Sequence, residues 1–126
     1  MARAACYDVI IDSGISLRVG VDVDADLAIG LVNNASIGSR SVLSFMLRPK
    51  NPLNLIFELS IKNGNNITTN VLTNEIDINF DDWRVVQEVI GGNVLTATGN
   101  TLRVKVLSGS GTLVISDIVL LYMTDI

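Results

Sequence analysis

Asp22-Val23-Asp24-Ala25-Asp26 is the densest run of side chains able to do chemistry, with carboxylates on alternate positions as at the opening of an EF-hand calcium loop. The sixth position of such a loop needs glycine for a sharp turn and is Leu27 here. The twelfth needs a glutamate that grips the ion with both oxygens and is Asn33. On a regular strand the alternate carboxylates would share one face about 6.5–7 Å apart, too far for one ion. The run therefore reads as a charged, solvated strand edge of the kind that discourages aggregation. Asp81-Asp82 with Glu88 forms the other acidic grouping, in principle a carboxylate pair for acid–base work. Adjacent strand residues point to opposite faces, so that pair would need a loop, where acidic pairs are ordinarily just solvated.

The residue types that are missing narrow the chemistry further. The sequence has no histidine, which removes the Ser-His-Asp and Cys-His constellations, imidazole general bases and the usual zinc sites. Its single cysteine, Cys6, excludes an intrachain disulfide and reads as a buried structural thiol. An enzyme is not expected. A net charge of −4, a pI near 4.5 and the lack of any run of Lys and Arg argue against a nucleic-acid binder, which needs a basic footprint. No stretch approaches the length of a membrane span. Asp8 and Asp12 interrupt the apolar N-terminal stretch, so no signal peptide is visible and a cytoplasmic location is expected, unless the chain was excised from a longer secreted protein. For the same reason the sequons Asn34-Ala35-Ser36 and Asn66-Ile67-Thr68 carry no weight without secretion.

The 126 residues suffice for one domain with its own core, and one domain over 1–126 is expected. Hydrophobic content is 48%, weighted to Val, Ile and Leu over aromatics, which favours strands. Charged residues make up only 17% and mean hydropathy is +0.46. A surface this poor in charge is either buried in part by a homo-oligomer, the reading adopted here, or solvated through Asn, Ser and Thr.

The clearest element lies at the end of the chain. Leu102–Leu107 alternates, with Leu102, Val104 and Val106 on one face and Thr101, Arg103 and Lys105 on the other. Ser108-Gly109-Ser110-Gly111 separates it from Leu113–Tyr122, and the pair reads as a β-hairpin. From Ile118 to Met123 the second arm is apolar on both faces, as in a strand covered on both sides. Upstream, strands are expected at Tyr7–Ile11, Ile15–Val23, Leu27–Val32, Ser41–Leu47, Leu53–Ile61, Ile67–Leu72 and Trp83–Ile90, and Val94–Ala97 leads into Gly99-Asn100. Asp12-Ser13-Gly14, Asp24-Ala25-Asp26, Asn33–Ser39, Arg48–Pro52 and Asn63-Gly64 are the breaks between them. Asn74–Asp82 is polar and acidic, with Ile76, Ile78 and Phe80 interleaved. Some eight or nine short strands without a convincing helix mean a sandwich or barrel, and the fold class expected is an all-β antiparallel β-sandwich of jelly-roll type.

The order of several motifs supports a resemblance. Leu43-Ser44-Phe45-Met46-Leu47 is followed by the alternating run Asn54–Gly64, a Trp-led strand at 83–90, Gly99-Asn100-Thr101-Leu102, and Ile115–Tyr122. From about Ser41 onwards this resembles the jelly-roll β-sandwich of galactose-binding-like domains and many carbohydrate-binding modules. The resemblance implies a non-enzymatic binding module, most plausibly lectin-like. The rival is a structural or assembly protein that forms a homo-oligomer through its low-charge sheet faces, and a sandwich that shapes a reaction without acid–base residues, as in some cyclases, is a remote third. Related modules with a structural calcium place an acidic residue of the final strand against the N-terminal end, which would make Asp117, Asp8 and Asp12 the candidate ligands, although the paired glutamates usual in that family are missing. A glycan partner would call for polar loop residues, here Asn33, Asn34, Asn65 and Asn66 with Asn63 and Asn74 beside them, and for aromatic platforms. Trp83, Phe45 and Phe57 are expected in the core, leaving Tyr7 and Tyr122 of the aromatics weighed, with Tyr122 placed on an outer face.

Overall fold

Alternating aliphatic side chains can leave water only by stacking one strand layer on another, and two four-stranded layers are what form. The computed structural model describes residues 2–77 and 83–126. Its strands are β1 (Arg3–Arg18), β2 (Asp24–Ile29), β3 (Ser41–Leu47), β4 (Lys50–Lys62), β5 (Thr68–Ile76), β6 (Arg84–Ile90) and β7 (Asn100–Asp125). Every pairing is antiparallel. The first half of β7 lies between β4 and β2, giving a layer in the order β5-β4-β7-β2. Its second half lies between β3 and β1, giving β6-β3-β7-β1. This is the expected antiparallel β-sandwich, with one strand shared by both layers.

The expected hairpin is not there. Ser108–Gly111 does mark a change of direction, but its two arms enter different layers and do not pair with each other. Gly109 and Gly111 have φ of 88° and 102°, a backbone shape natural only to glycine, and opposite them β4 bends through Asn51 and Asn54, both at φ 48°. Lys50↔Thr112, Leu53↔Ser110 and Ile56↔Ser108 pair across this corner with slips between them, so both strands turn from one layer into the next together. The N-terminal pieces merge in the same way. Tyr7–Ile11 and Ile15–Arg18 are one strand, kinked by slips around Asp12-Ser13, and residues 19–22 are a turn where strand was expected. Asp24-Ala25-Asp26 begins β2 where a break was expected. Among the described residues seven strands thus stand in for eight or nine expected ones.

Phe57, Leu59, Ile61, Leu102 and Val104 of one layer face Leu43, Phe45, Ile118 and Leu120 of the other, all at 0–1% exposure. Fully burying each such side chain contributes roughly 1.5–3 kcal/mol, so this shared interior is what holds the layers together. Both outer faces are then available for other work.

Candidate functional site

The polar set that alternation places opposite Leu102, Val104 and Val106 gathers on the outer face of the β5-β4-β7-β2 layer. Register aligns it in rows: Lys62 beside Thr101, Ser60 beside Arg103 and Asp26, and Glu58 beside Lys105 and Asp24. All of these but Asp24, with Asn66 from the β4–β5 turn and Thr68 at the start of β5, line a groove of about 550 Å³, within the ~300–1,000 Å³ usual for ligand sites. At its centre Arg103 is fixed. Its Nε donates to Asp26 Oδ1 at 2.7 Å and its Nη2 to Oδ2 at 3.0 Å. Hydrogen bonding by that guanidinium holds the Asp26 carboxyl below its ordinary pKa, and the same bond raises the pKa of Arg103. The pair is exposed to solvent, which screens its contribution to stability, and its effect is to hold two charged groups in one geometry.

The groove therefore presents fixed donors, fixed acceptors and hydroxyls side by side on a rigid sheet. Such an array suits a ligand covered in hydroxyl groups, each of which can donate and accept. Among the described residues no aromatic side chain lines it, so what they offer is hydrogen bonding without a stacking platform. An ionised Asp26 locked to Arg103 is poorly placed to give up a proton.

Asp26 of the acidic run lines this groove, and of the expected glycan contacts Tyr122, Asn33, Asn34, Asn65 and Asn66, Asn66 alone does. Asn65 is exposed in the same turn, its N–H donating to Asn63 Oδ1 at 2.9 Å. Asn34 is occupied elsewhere, its Nδ2 donating to the Asp125 carbonyl at 2.6 Å, and Asn33 is an exposed loop residue beside it. The placement of Tyr122 on an outer face is overturned: it is 6% exposed, and its hydroxyl accepts from the Val32 N–H at 3.2 Å. Asp117 explains the reversal. It sits at φ 50° where the ladder slips between Ile11↔Ile118 and Gly14↔Ser116. Leu113 and Ile115 point inward before this bulge, and Ile118, Leu120 and Tyr122 point inward after it, so the parity changes by one.

The calcium expectation is corrected by the same geometry. Asp117 is exposed and accepts from Ser116 Oγ at 3.0 Å, Asp8 accepts from the Gly30 N–H at 3.0 Å, and Asp12 is exposed in the kink of β1. Among the described residues no three His, Cys, Asp or Glu side chains gather as a metal site. Phe45 and Phe57 are in the core as expected, but Trp83 is 37% exposed just before β6. Asp81-Asp82, Ile78 and Phe80 lie outside the described residues.

Burial, and then its contact with Cys6, raises the Tyr122 pKa above the ordinary value. The folded state thus keeps the phenol neutral while an unfolded tyrosine ionises near pH ~10. Its contribution to stability is complete below that pH and is lost as pH rises through and beyond it. Tyr122→Phe is expected to cost about 1 kcal/mol at pH 7, from the acceptor lost to Val32. The gap between variant and wild type should narrow in urea melts repeated at pH 11.

No protein-family model matches the chain, and no curated protein does. Solved structures do match. One holds the CBM22-1 and GH10 modules of endo-1,4-β-D-xylanase 10B from Clostridium thermocellum, complexed with xylohexaose (TM-score 0.60, 11% identity, 94% of this chain and 24% of that one). The chain thus spans about a quarter of that xylanase chain. Another is a mutant of a family 29 carbohydrate-binding module, CBM29-2 (TM-score 0.60, 12% identity, 96% and 87% covered). A third is a CBM4 structure (TM-score 0.52, 15% identity, 95% and 70% covered). At such identities the likeness is one of fold: this chain is built as the β-sandwich seen in carbohydrate-binding modules.

Proposed function

We propose that this chain is a non-enzymatic carbohydrate-binding module that takes its ligand in the groove on the β5-β4-β7-β2 layer. One observation carries the reading: Arg103 and Asp26 are locked together at the centre of a face whose other side chains, Lys62, Glu58, Ser60, Thr101 and Lys105, are all hydrogen-bonding groups. A saccharide matches such a face because neighbouring hydroxyls can bridge a fixed donor and a fixed acceptor. The fold shared with modules named for carbohydrate binding supports the same reading. With no aromatic platform among the described residues, affinity rests on their charge-assisted hydrogen bonds, each worth roughly 1.5–3 kcal/mol. The low charge of the whole chain also leads us to propose that the module works as a homo-oligomer.

A glycan array screened with and without chelator tests the function. Binding that sugars compete away and that EDTA leaves unchanged is expected. Arg103→Ala should weaken it at least ~10-fold, equivalent to about 1.4 kcal/mol, while leaving the melting transition nearly in place. A blank array across broad glycan classes, or undiminished binding by Arg103→Ala, would remove the reading.

A further inference from the structure

The two outer faces of the sandwich differ sharply. Whereas the groove face is charged, the outer face of the β6-β3-β7-β1 layer carries Val89, Val42, Leu121 and Tyr7 in one row across all four strands. The next row is Gln87, Ser44, Val119 and Val9. Neither row contains a charged side chain, and beyond the first one Arg3 is matched by Asp125 at 3.5 Å. Tyr7, Val9, Val85, Val89 and Leu121 are 66%, 48%, 63%, 61% and 40% exposed. Those five leave roughly 500 Å² of mainly apolar surface in water, at the top of the range for the largest patch on a monomer. Val42, Met46 and Val119, half-buried between them, make the patch continuous, and its size suits an interface smaller than the standard ~800 Å² per partner. The apolar run on both sides of Ile118–Met123 describes a strand covered twice, yet within one chain only its inner side is covered.

We infer that a second copy of this chain packs face to face on the β6-β3-β7-β1 layer, about a two-fold axis running along the strands. That axis reverses the strand order while keeping the rows opposite one another. Tyr7, at one edge, then lies over the smaller Val89 of the second copy, and Leu121 lies over its Val42. Large meets small at the edges and the layers can approach to about 10 Å, the spacing of packed sheets. Charge favours a copy as the occupant. Two chains of net charge −4 repel least where the touching surfaces carry no charge, and these two rows carry none. An anionic lipid surface would want a rim of unpaired cations, and the net charge is of the wrong sign for one. In the dimer the two grooves point away from each other, open for bivalent capture of a glycan surface.

This assignment rests on the homo-oligomer reading and not on the glycan reading. Sedimentation equilibrium of the whole chain between about 1 and 100 µM should show a monomer–dimer equilibrium, and Leu121→Asp should weaken it at least ~10-fold. A second route does not depend on that variant folding: Tyr7→Cys with Val89→Cys, in a Cys6→Ser background, should give a covalent dimer with a short bismaleimide, whose span suits sheets about 10 Å apart where a disulfide would not reach. A wild type that stays monomeric throughout overturns both the oligomer and its face. A wild-type dimer that Leu121→Asp leaves intact, or that the cysteine pair cannot link, overturns the face alone. A monomer that binds phosphatidylcholine vesicles gives the face to lipid and overturns the inference.

Discussion

Gly109→Ala is expected to destabilise the fold by about 3 kcal/mol or more, while Ser110→Ala, one residue on, should change stability by less than ~0.5 kcal/mol. Two costs add at Gly109. Its φ of 88° places any side chain in a conformation that costs an L-residue roughly 1–2 kcal/mol. A Cβ there would also run into the backbone carbonyls of Asn54 and Leu53, which belong to the adjacent bend of β4 and cannot swing aside as a side chain could. Relief would require the two strands to separate at the corner, loosening the pairing that carries β7 from one layer to the next. Gly111, at φ 102° and pressed on the Asn51 carbonyl, should behave alike. Urea denaturation of Gly109→Ala, Gly111→Ala and Ser110→Ala at one temperature checks this. Equal midpoints for all three would mean the corner tolerates a looser path.

The same glycines show where reading the sequence stops. Ser108-Gly109-Ser110-Gly111 was a sound signal that the chain changes direction, because glycine supplies backbone shapes that other residues avoid. A turn signal does not say which strand lies alongside. Here β4 bends beside β7, so each arm of the expected hairpin found its partners elsewhere. The core was legible for the opposite reason: period-two alternation is a local property, and it placed Leu102, Val104, Val106, Phe45 and Phe57 inside correctly. Past Asp117 that local rule reversed. Residues 118–123 are all apolar, so nothing in the sequence betrays the one-residue slip that turned Tyr122 inward.

The groove was half visible. Thr101, Arg103 and Lys105 could be seen to share a polar face, and Asp24 and Asp26 to alternate, but these stretches are 77 residues apart at the Asp26–Arg103 contact. Only the register of β2 on β7 sets the carboxylate against the guanidinium, and register across such a separation depends on the fit of both layers rather than on any local pattern. No run of Lys and Arg exists, yet Lys62, Arg103 and Lys105 meet on one face because two strands bring them there. The asparagines were chosen for loop position, and most serve the loops themselves.

Asn63→Ala is the second large effect, expected at about 3 kcal/mol. The residue is 5% exposed, and its side chain does three things at once. Nδ2 donates to the Val94 carbonyl at 3.1 Å, and Oδ1 accepts from the N–H groups of Asn65 at 2.9 Å and Ile67 at 3.2 Å. Alanine would leave all three backbone groups without that partner. Water can reach those near the exposed Asn65 and Ile67 more readily than Val94, so the cost falls short of three full desolvation penalties of ~1–3 kcal/mol each. The neighbouring Gly64 N–H donates to Thr96 Oγ1 at 2.7 Å, and Asn100 Nδ2 donates to the Thr96 carbonyl at 2.7 Å, so the turn, the 91–99 loop and the start of β7 form one network. Asn66, whose N–H donates to the Asn63 carbonyl at 3.0 Å, is the lip of the groove held by this network. Asn63→Ala should therefore lower the urea midpoint and weaken glycan binding together, whereas Arg103→Ala weakens binding with little change in the midpoint. If Asn63→Ala lost stability but bound glycan as wild type does, the turn would support the fold without shaping the groove.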